Sequence, residues 1–250
     1  EVEREDITLS VETQGTVLPL TASTLVAEVS GRVTWVSQKL VNGGFFESGD
    51  ELLELDATDY EQALAQARAE VARAEVQLAR QQADAEIARS EWTRLGEGEG
   101  TPLALRELQV EEARASLEAA KAAEARAVRD LKRTVIRAPY AGRVRDEDVD
   151  VGQFLSRGAT IAQIYAVDYA EIRLPLPDEE LAFIELPLSY RGEGSADGGP
   201  PVTLSSRFAG RTHSWTGRLV RTEGVNDPAT RMIYTVARVR DPYGPPEGDE

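Results

Sequence analysis

The middle of the chain carries a heptad pattern that a long amphipathic helix satisfies. From residue 58 to 95, one stripe of mostly small or apolar residues recurs at alternating steps of four and three: Tyr60, Leu64, Ala67, Val71, Ala74, Leu78, Gln81, Ala85, Ala88, Trp92 and Leu95. This spacing keeps the stripe facing a partner helix, as in a coiled coil. At 1.5 Å per residue, such a helix would be roughly 55 Å long.

A second helix returns along the first. The stretch LGEGEGTP, from Leu95 to Pro102, ends the pattern with three glycines, and its proline suits the first turn of the next helix. A helix from about Pro102 to Arg133 then repeats the seam, interrupted by Glu124, at Val110, Ala113, Leu117, Ala120, Ala127 and Leu131. Because the turn is short, residues 58–133 are expected to form an antiparallel hairpin.

Both flanks of the hairpin change to the two-residue period of β-strands. Residues 7–17 and 24–36 alternate apolar and polar side chains, and short strands separated by Gly and Pro follow the hairpin. One short helix is predicted at 177–186 and a polar, glycine-rich loop at 190–201. The tail, 244–250, is predicted to be disordered or the edge of a truncation.

The two flanks contain copies of one sequence. LVAEVSGRV (25–33) matches IRAPYAGRV (136–144), and GGFFESGDELLEL (43–55) matches GQFLSRGATIAQI (152–164). Each copy is too short to close a core, so the two are expected to share one as a small β-sandwich into which the hairpin is inserted. Six glycines are predicted at structural turns of this repeat: Gly31, Gly43, Gly49, Gly142, Gly152 and Gly158.

Composition excludes several classes of function. A net charge of -16 argues against nucleic-acid binding, which relies on Lys and Arg against phosphate. With no Cys and a single histidine, His213, the chain has no disulfide, no thiolate and no His-based metal site. No run approaches the roughly 18 apolar residues of a membrane span, and no signal peptide opens the chain. Since the chain starts at Glu1, we expect a processed or trimmed piece of a longer protein.

One acidic stretch resembles the start of a calcium loop. Asp146, Asp148 and Asp150 have EF-hand spacing, but Val151 occupies the position of the required glycine and Arg157 that of the bidentate glutamate. We therefore interpret these acids as a solvated edge, with weak cation binding as the alternative.

The split repeat around a coiled coil resembles the HlyD family of periplasmic adaptor, or membrane fusion, proteins. The resemblance rests on LDATDYEQALAQARAEVARAEVQLARQQAD leaving the first half and LKRTVIRAPYAGRV opening the second. Residues 170–184 and 215–243 resemble the β-barrel domain of adaptors that serve resistance-nodulation-division (RND) pumps. In this family each half of the repeat is half of a biotinyl-lipoyl-like domain.

The resemblance implies an adaptor and not an enzyme. Such proteins oligomerise, typically as hexamers, between an inner-membrane RND transporter and an outer-membrane TolC-like channel, in the periplasm and attached to the inner membrane. Together they form a sealed conduit for small molecules. A lipoyl carrier needs a lysine where the coiled coil is inserted here, so no cofactor is expected. The alternatives are an adaptor of an ABC-type exporter or a coiled-coil scaffold without a role in transport.

The resemblance also implies channel-binding residues at the hairpin tip. Family members often carry an Arg, a Leu and a Ser there, and the nearest candidates are Arg94, Leu95 and Thr101, with Arg89 one turn earlier. Five arginines make the barrel region locally basic and are candidates for contact with the transporter or lipid headgroups: Arg207, Arg211, Arg218, Arg221 and Arg231.

The expected fold class is an elongated, multi-domain α+β chain, with an antiparallel coiled-coil hairpin in a split lipoyl-like β-sandwich, followed by a β-barrel. The expected divisions are 1–22 (N-terminal strands joining the barrel), 23–57 (first lipoyl-like half), 58–133 (hairpin), 134–167 (second half), 168–243 (barrel) and 244–250 (tail).

Overall fold

The computed structural model describes residues 10–95, 100–177, 180, 184, 199–208, 210–226 and 232–244. These residues form a helical hairpin, two four-stranded sheets and one five-stranded sheet. The predicted α+β class, with a hairpin inserted in a split β-domain, is confirmed. The predictions for 177–186, 190–201 and 244–250 fall largely outside the described residues.

The hairpin consists of α1 (Thr58–Leu95) and α2 (Glu107–Lys132). The seam positions of α1 are buried or half-buried from Tyr60 to Trp92, as the heptad pattern predicts. In α2 the centre of the seam is buried at Ala113, Leu117 and Ala120. The final seam position, Leu95, is instead 71% exposed, because the helices no longer face each other there.

The second helix begins five residues later than predicted. Residues 102–106 form a separate turn, in which the Thr101 hydroxyl accepts a hydrogen bond from the Ala104 N–H at 3.2 Å. Arg106 then adopts a left-handed conformation, with φ of 57°, which a right-handed helix cannot continue through. Pro102 therefore lies in the first turn of this capped segment and not in that of α2.

The two halves of the repeat build one β-sandwich. Its strands are β2 (Ala22–Val26), β3 (Gly31–Val36), β4 (Phe45–Phe46), β5 (Glu51–Leu55), β6 (Val135–Arg137), β7 (Gly142–Glu147), β8 (Phe154–Leu155) and β9 (Thr160–Ala166). The sheet orders are β2-β9-β7-β4 and β6-β5-β3-β8, so each sheet takes strands from both halves. Leu52 and Leu53 from one half and Ile161 and Ile164 from the other fill one shared core.

The third sheet is an antiparallel half-barrel. It contains β1 (Thr16–Pro19), β10 (Tyr169–Pro177), β11 (Pro201–Phe208), β12 (Arg211–Asn226) and β13 (Met232–Arg240), in the order β1-β10-β13-β12-β11. Its inner face packs Ile172, Leu174, Leu219, Ala237 and Val239.

The first strand of the chain is shorter than its sequence pattern predicts. Residues 10–15 have no regular structure, and β1 begins only at Thr16. The segment still follows β10, because the Thr13 hydroxyl donates to the Pro175 carbonyl at 2.6 Å. Neither described helix combines the length and the hydropathy of a membrane span.

Candidate functional site: the hairpin tip and its base

The far end of the hairpin exposes large apolar side chains. Leu95 ends α1, Leu103 lies in the turn after it and Leu108 lies in the first turn of α2; their exposed fractions are 71%, 65% and 59%. Ile87, two turns below Leu95, is also exposed. A group of exposed apolar side chains of this kind is typical of a protein contact site.

Two ion pairs join the helices below this tip. Arg89 Nη2 lies 3.2 Å from Glu107 Oε1, and Arg106 Nη1 lies 3.0 Å from Asp84 Oδ2. Each exposed pair contributes less than about 1 kcal/mol to stability. Together they hold the start of α2 against α1, so Arg89 already has a partner within the hairpin.

The structure brings the three predicted channel-binding residues to the same end of the hairpin. Arg94 is exposed and has no ion pair with the residues that the structure describes. Leu95 beside it is also exposed, at the end of the seam. The Thr101 hydroxyl caps the turn after the tip, so this residue shapes the tip as well as lying on its surface.

The interruption of the seam at Glu124 has a structural explanation. Its Oε1 lies 3.3 Å from Nε of Arg68 on α1, so the carboxylate forms a cross-helix ion pair at the edge of the seam. The pair depends on the register of the two helices, which the sequence alone does not specify.

The opposite end of the hairpin is fixed to the β-sandwich. The Asp56 carboxylate accepts hydrogen bonds from the N–H and the hydroxyl of Thr58, at 3.0 and 2.7 Å, and these bonds lower the pKa of Asp56. The Tyr60 hydroxyl donates to the Ser30 carbonyl at 2.6 Å, and Arg133 lies 2.6 Å from Glu28. Both helices are therefore tied to the first half of the sandwich.

Four of the six predicted glycines lie in turns with positive φ. Gly43, Gly49, Gly152 and Gly158 have φ between 82° and 92°, the left-handed region that favours glycine. The two copies of the repeat thus use the same backbone geometry at matching positions.

The other two glycines are not turn residues. Gly31 and Gly142 are the first residues of β3 and β7. A Cβ on Gly142 would lie 2.4 Å from the Tyr165 carbonyl oxygen and 2.9 Å from Phe46. The prediction of a turn is wrong for these two positions, where glycine permits close packing instead.

The half-barrel divides the predicted basic cluster into two groups. Arg221 of the cluster and Arg238, which is outside it, bond to Glu171 at 2.7 and 2.8 Å. The bond from Arg221, more than that from Arg238, lowers the pKa of Glu171. Arg218 donates to the Gly199 carbonyl, and Arg231 lies outside the described residues.

Two arginines of that cluster flank an exposed aromatic. Arg207 and Arg211 lie on either side of the turn between β11 and β12, where Phe208 is 73% exposed. Phe208 pairs in register with Arg211, so these two side chains share one face of the sheet, whereas Arg207, the preceding residue of β11, lies on the other face.

The acidic stretch at 146–150 and the single histidine, His213, have ordinary polar and aromatic neighbours. Among the described residues, no group of three or more acidic or histidine side chains is placed to hold a metal ion. Asp146 lies 3.8 Å from Arg145. The His213 ring packs beside Trp215 on β12, with their centroids 6.2 Å apart.

Comparison with known proteins agrees with this architecture. No family model matches the chain. The chain is 30% identical over 191 residues to the multidrug resistance protein MdtA of Proteus mirabilis, which covers 73% of this chain and 44% of that protein. The chain spans about half the length of the curated relatives it matches.

Two solved structures have a similar fold. A putative efflux transporter from Bacteroides eggerthii matches with a TM-score of 0.65 and 17% identity, over 97% of this chain and 68% of its own. The membrane fusion protein Spr0693 of Streptococcus pneumoniae matches with a TM-score of 0.59 and 17% identity, over 94% of this chain and 90% of its own.

Proposed function

The chain belongs to the membrane fusion protein family of periplasmic adaptors, and we propose that it couples an inner-membrane RND transporter to an outer-membrane TolC-like channel. In this proposal the protein resides in the periplasm, attached to the inner membrane. It assembles as a homo-oligomer, with six copies as the working number, into a sealed conduit for small molecules. It catalyses no reaction itself.

The observation that supports this proposal is a helical hairpin that is anchored at its base and exposes apolar side chains at its tip. The seam keeps the two helices together along their length, and the bonds of Asp56, Tyr60 and Arg133 fix their base. The far end exposes Leu95 and Leu103. A hairpin with this arrangement is suited to contact a second protein at a fixed distance from the β-sandwich.

We assign the channel contact to Arg94, Leu95 and the turn from Thr101. Burial of Leu95 and Leu103 against apolar side chains of the channel would contribute on the order of 1.5–3 kcal/mol for each side chain fully buried. Arg94 would add direction through hydrogen bonds to carbonyl or carboxylate groups at the ends of the channel's helices.

We assign part of the transporter contact to the end of the β11–β12 hairpin in the half-barrel. Arg207, Phe208 and Arg211 are exposed strand residues beside the turn between β11 and β12, and the two arginines have no ion pair with described residues. An exposed ring with Arg211 beside it fits an apolar depression bordered by carboxylates. The locally positive charge contrasts with the net charge of -16 of the whole chain.

The test is co-isolation from the native envelope with the full-length protein. Under mild crosslinking, the wild type is expected to recover both a transporter and a channel. Changing Leu95→Asp together with Leu103→Asp should remove the channel and keep the transporter. Val76→Asp is the matched control, because Val76 is 51% exposed on α1 but far from the tip; it should keep both partners.

Two results would contradict the proposal. If the tip variant recovers as much channel as the wild type, the tip is not the channel contact. If the wild type recovers neither partner, the adaptor function itself is wrong.

A further inference from the structure

Two short crossings connect the β-sandwich to the half-barrel. Residues 20–21 join β1 to β2, and residues 167–168 join β9 to β10. The crossings lie side by side, because the Ala166 N–H donates to the Thr21 carbonyl at 2.9 Å and the Leu20 N–H to the Tyr169 carbonyl at 3.4 Å. A two-stranded ribbon of this kind holds two bodies together but leaves bending and twisting about the ribbon open.

A third connection is made by the turn that follows β13. Asp241 takes a positive φ of 47°, and its N–H donates to the Asp168 carbonyl at 2.8 Å. The turn closes with the Gly244 N–H on the Asp241 carbonyl at 3.0 Å. It therefore lies against the second crossing and projects Tyr243 toward the sandwich.

Tyr243 contacts three strands of one sandwich sheet. Its ring meets Phe45 of β4 edge-on, with 5.8 Å between centroids, and the Arg143 guanidinium of β7 lies 5.8 Å from the ring centre. Its hydroxyl lies 3.2 Å from that of Tyr165 on β9. Arg143 is itself held in place, since its Nε donates to the Gly43 carbonyl at 2.8 Å and its guanidinium lies 4.9 Å from the Phe45 ring centre.

The internal repeat gives the sandwich a second arginine–phenylalanine pair of the same kind. Arg32 of the first copy pairs in register with Phe154 of the second, just as Phe45 of the first pairs with Arg143 of the second. Arg32 Nη1 donates to the Gly152 carbonyl at 3.1 Å. Phe154 there is 65% exposed, compared with 51% for Phe45. The arginine–phenylalanine pair thus belongs to the repeat, whereas Tyr243 is an addition from the half-barrel at one of the two pairs.

We propose that Tyr243 is a latch that sets the angle between the half-barrel and the lipoyl-like sandwich. The two crossings form the hinge, and the tyrosine pins one side of it. Tyr243 and Tyr165 also line a cleft of about 1590 Å³ between the half-barrel and the sandwich, so release of the latch lets this cleft widen. In an adaptor whose parts must meet two partners at once, this angle fixes the direction of the hairpin. The contacts of Tyr243 all lie within this chain, so the latch does not depend on which partners the protein binds.

The three contacts give the expected size of the effect. Loss of one hydroxyl–hydroxyl bond lowers the ratio of latched to open molecules by about 2- to 10-fold. Loss of the whole ring also removes an aromatic pair and a cation–π contact, which brings the expected change to roughly 10- to 100-fold or more.

The experiment is a distance measurement between two spin labels, since the chain has no cysteine of its own. Arg157→Cys marks the sandwich and Thr212→Cys marks the half-barrel; both positions are exposed. The distance distribution is expected to be narrow with Tyr243 present and broad with Tyr243→Ala, at unchanged far-ultraviolet circular dichroism. Tyr243→Phe and Tyr165→Phe should each broaden it slightly, and combining them should add nothing, because both remove the same bond.

Tyr234→Ala is the matched control. Arg173 lies over the Tyr234 ring at 3.7 Å, so this change also removes a tyrosine–arginine contact, but one that lies wholly within the half-barrel. It should leave the distance distribution narrow. A Tyr243→Ala distribution that superimposes on the wild type overturns the latch, and so does equal broadening by Tyr234→Ala.

Discussion

The seam of the hairpin makes a quantitative prediction at Leu117. This side chain is 7% exposed and packs with Ala74, Ala120, Val71 and Leu78. Leu117→Ala removes three carbon groups, which is about 2.4 kcal/mol at 0.8 kcal/mol each. Two of these four neighbours are alanines, whose short side chains cannot fill the space that is left, so a cavity cost adds to this. We expect the free energy of unfolding to fall by about 3 kcal/mol.

Leu108→Ala is the matched control for this prediction. It makes the same chemical change on the same helix, but Leu108 is 59% exposed. We expect it to change the free energy of unfolding by less than about 0.5 kcal/mol. The assay is urea denaturation followed at 222 nm, where the two long helices dominate the signal. If both variants lose the same stability, the helices do not pack along the deduced seam and the reasoning is refuted.

Two further predictions concern the β-domains. Gly142→Ala should destabilise the sandwich by about 1–3 kcal/mol through overpacking against the Tyr165 carbonyl. Gly31→Ala should destabilise it less, because its Cβ would lie 3.2 Å from Leu55. Equal melting temperatures for the two variants would contradict this prediction. Glu171→Gln should cost about 2 kcal/mol at neutral pH, because two arginines lose a charged partner. The pKa of Glu171 is lowered by folding, so its contribution is present above the ordinary value of 4.5 and is lost as the pH falls below it; a cost that stays constant from pH 7 to pH 3 would show that the carboxylate charge is not its source.

The hairpin and the shared core were predictable because both rest on periodicity. A heptad stripe determines which face of α1 is covered, and burial follows that stripe from Tyr60 to Trp92. Likewise, each half of the repeat carries too few apolar residues for a core, and the structure joins Leu53 to Ile161 and Ile164. These features depend on spacing along the chain, which the sequence states directly.

Features that depend on close contact between distant residues were not predictable. Gly142 has the sequence context of a turn, but its role comes from the nearness of Tyr165 and Phe46. The helix α2 begins later than predicted because Arg106 takes a left-handed conformation, which the residue type does not predict. Tyr243 contacts Arg143 and Phe45, which lie about 100 and 200 positions earlier in the chain. No local sequence pattern encodes such a contact.

The most direct test of the adaptor account is site-specific photocrosslinking in living cells. A photoreactive amino acid at Leu95 of the full-length protein should form a crosslink to an outer-membrane channel, and the same group at Val76, which is also exposed on α1, should not. A channel crosslink from Val76 but not from Leu95, or no crosslink to any channel from either position, would contradict the claim that the hairpin tip engages the channel.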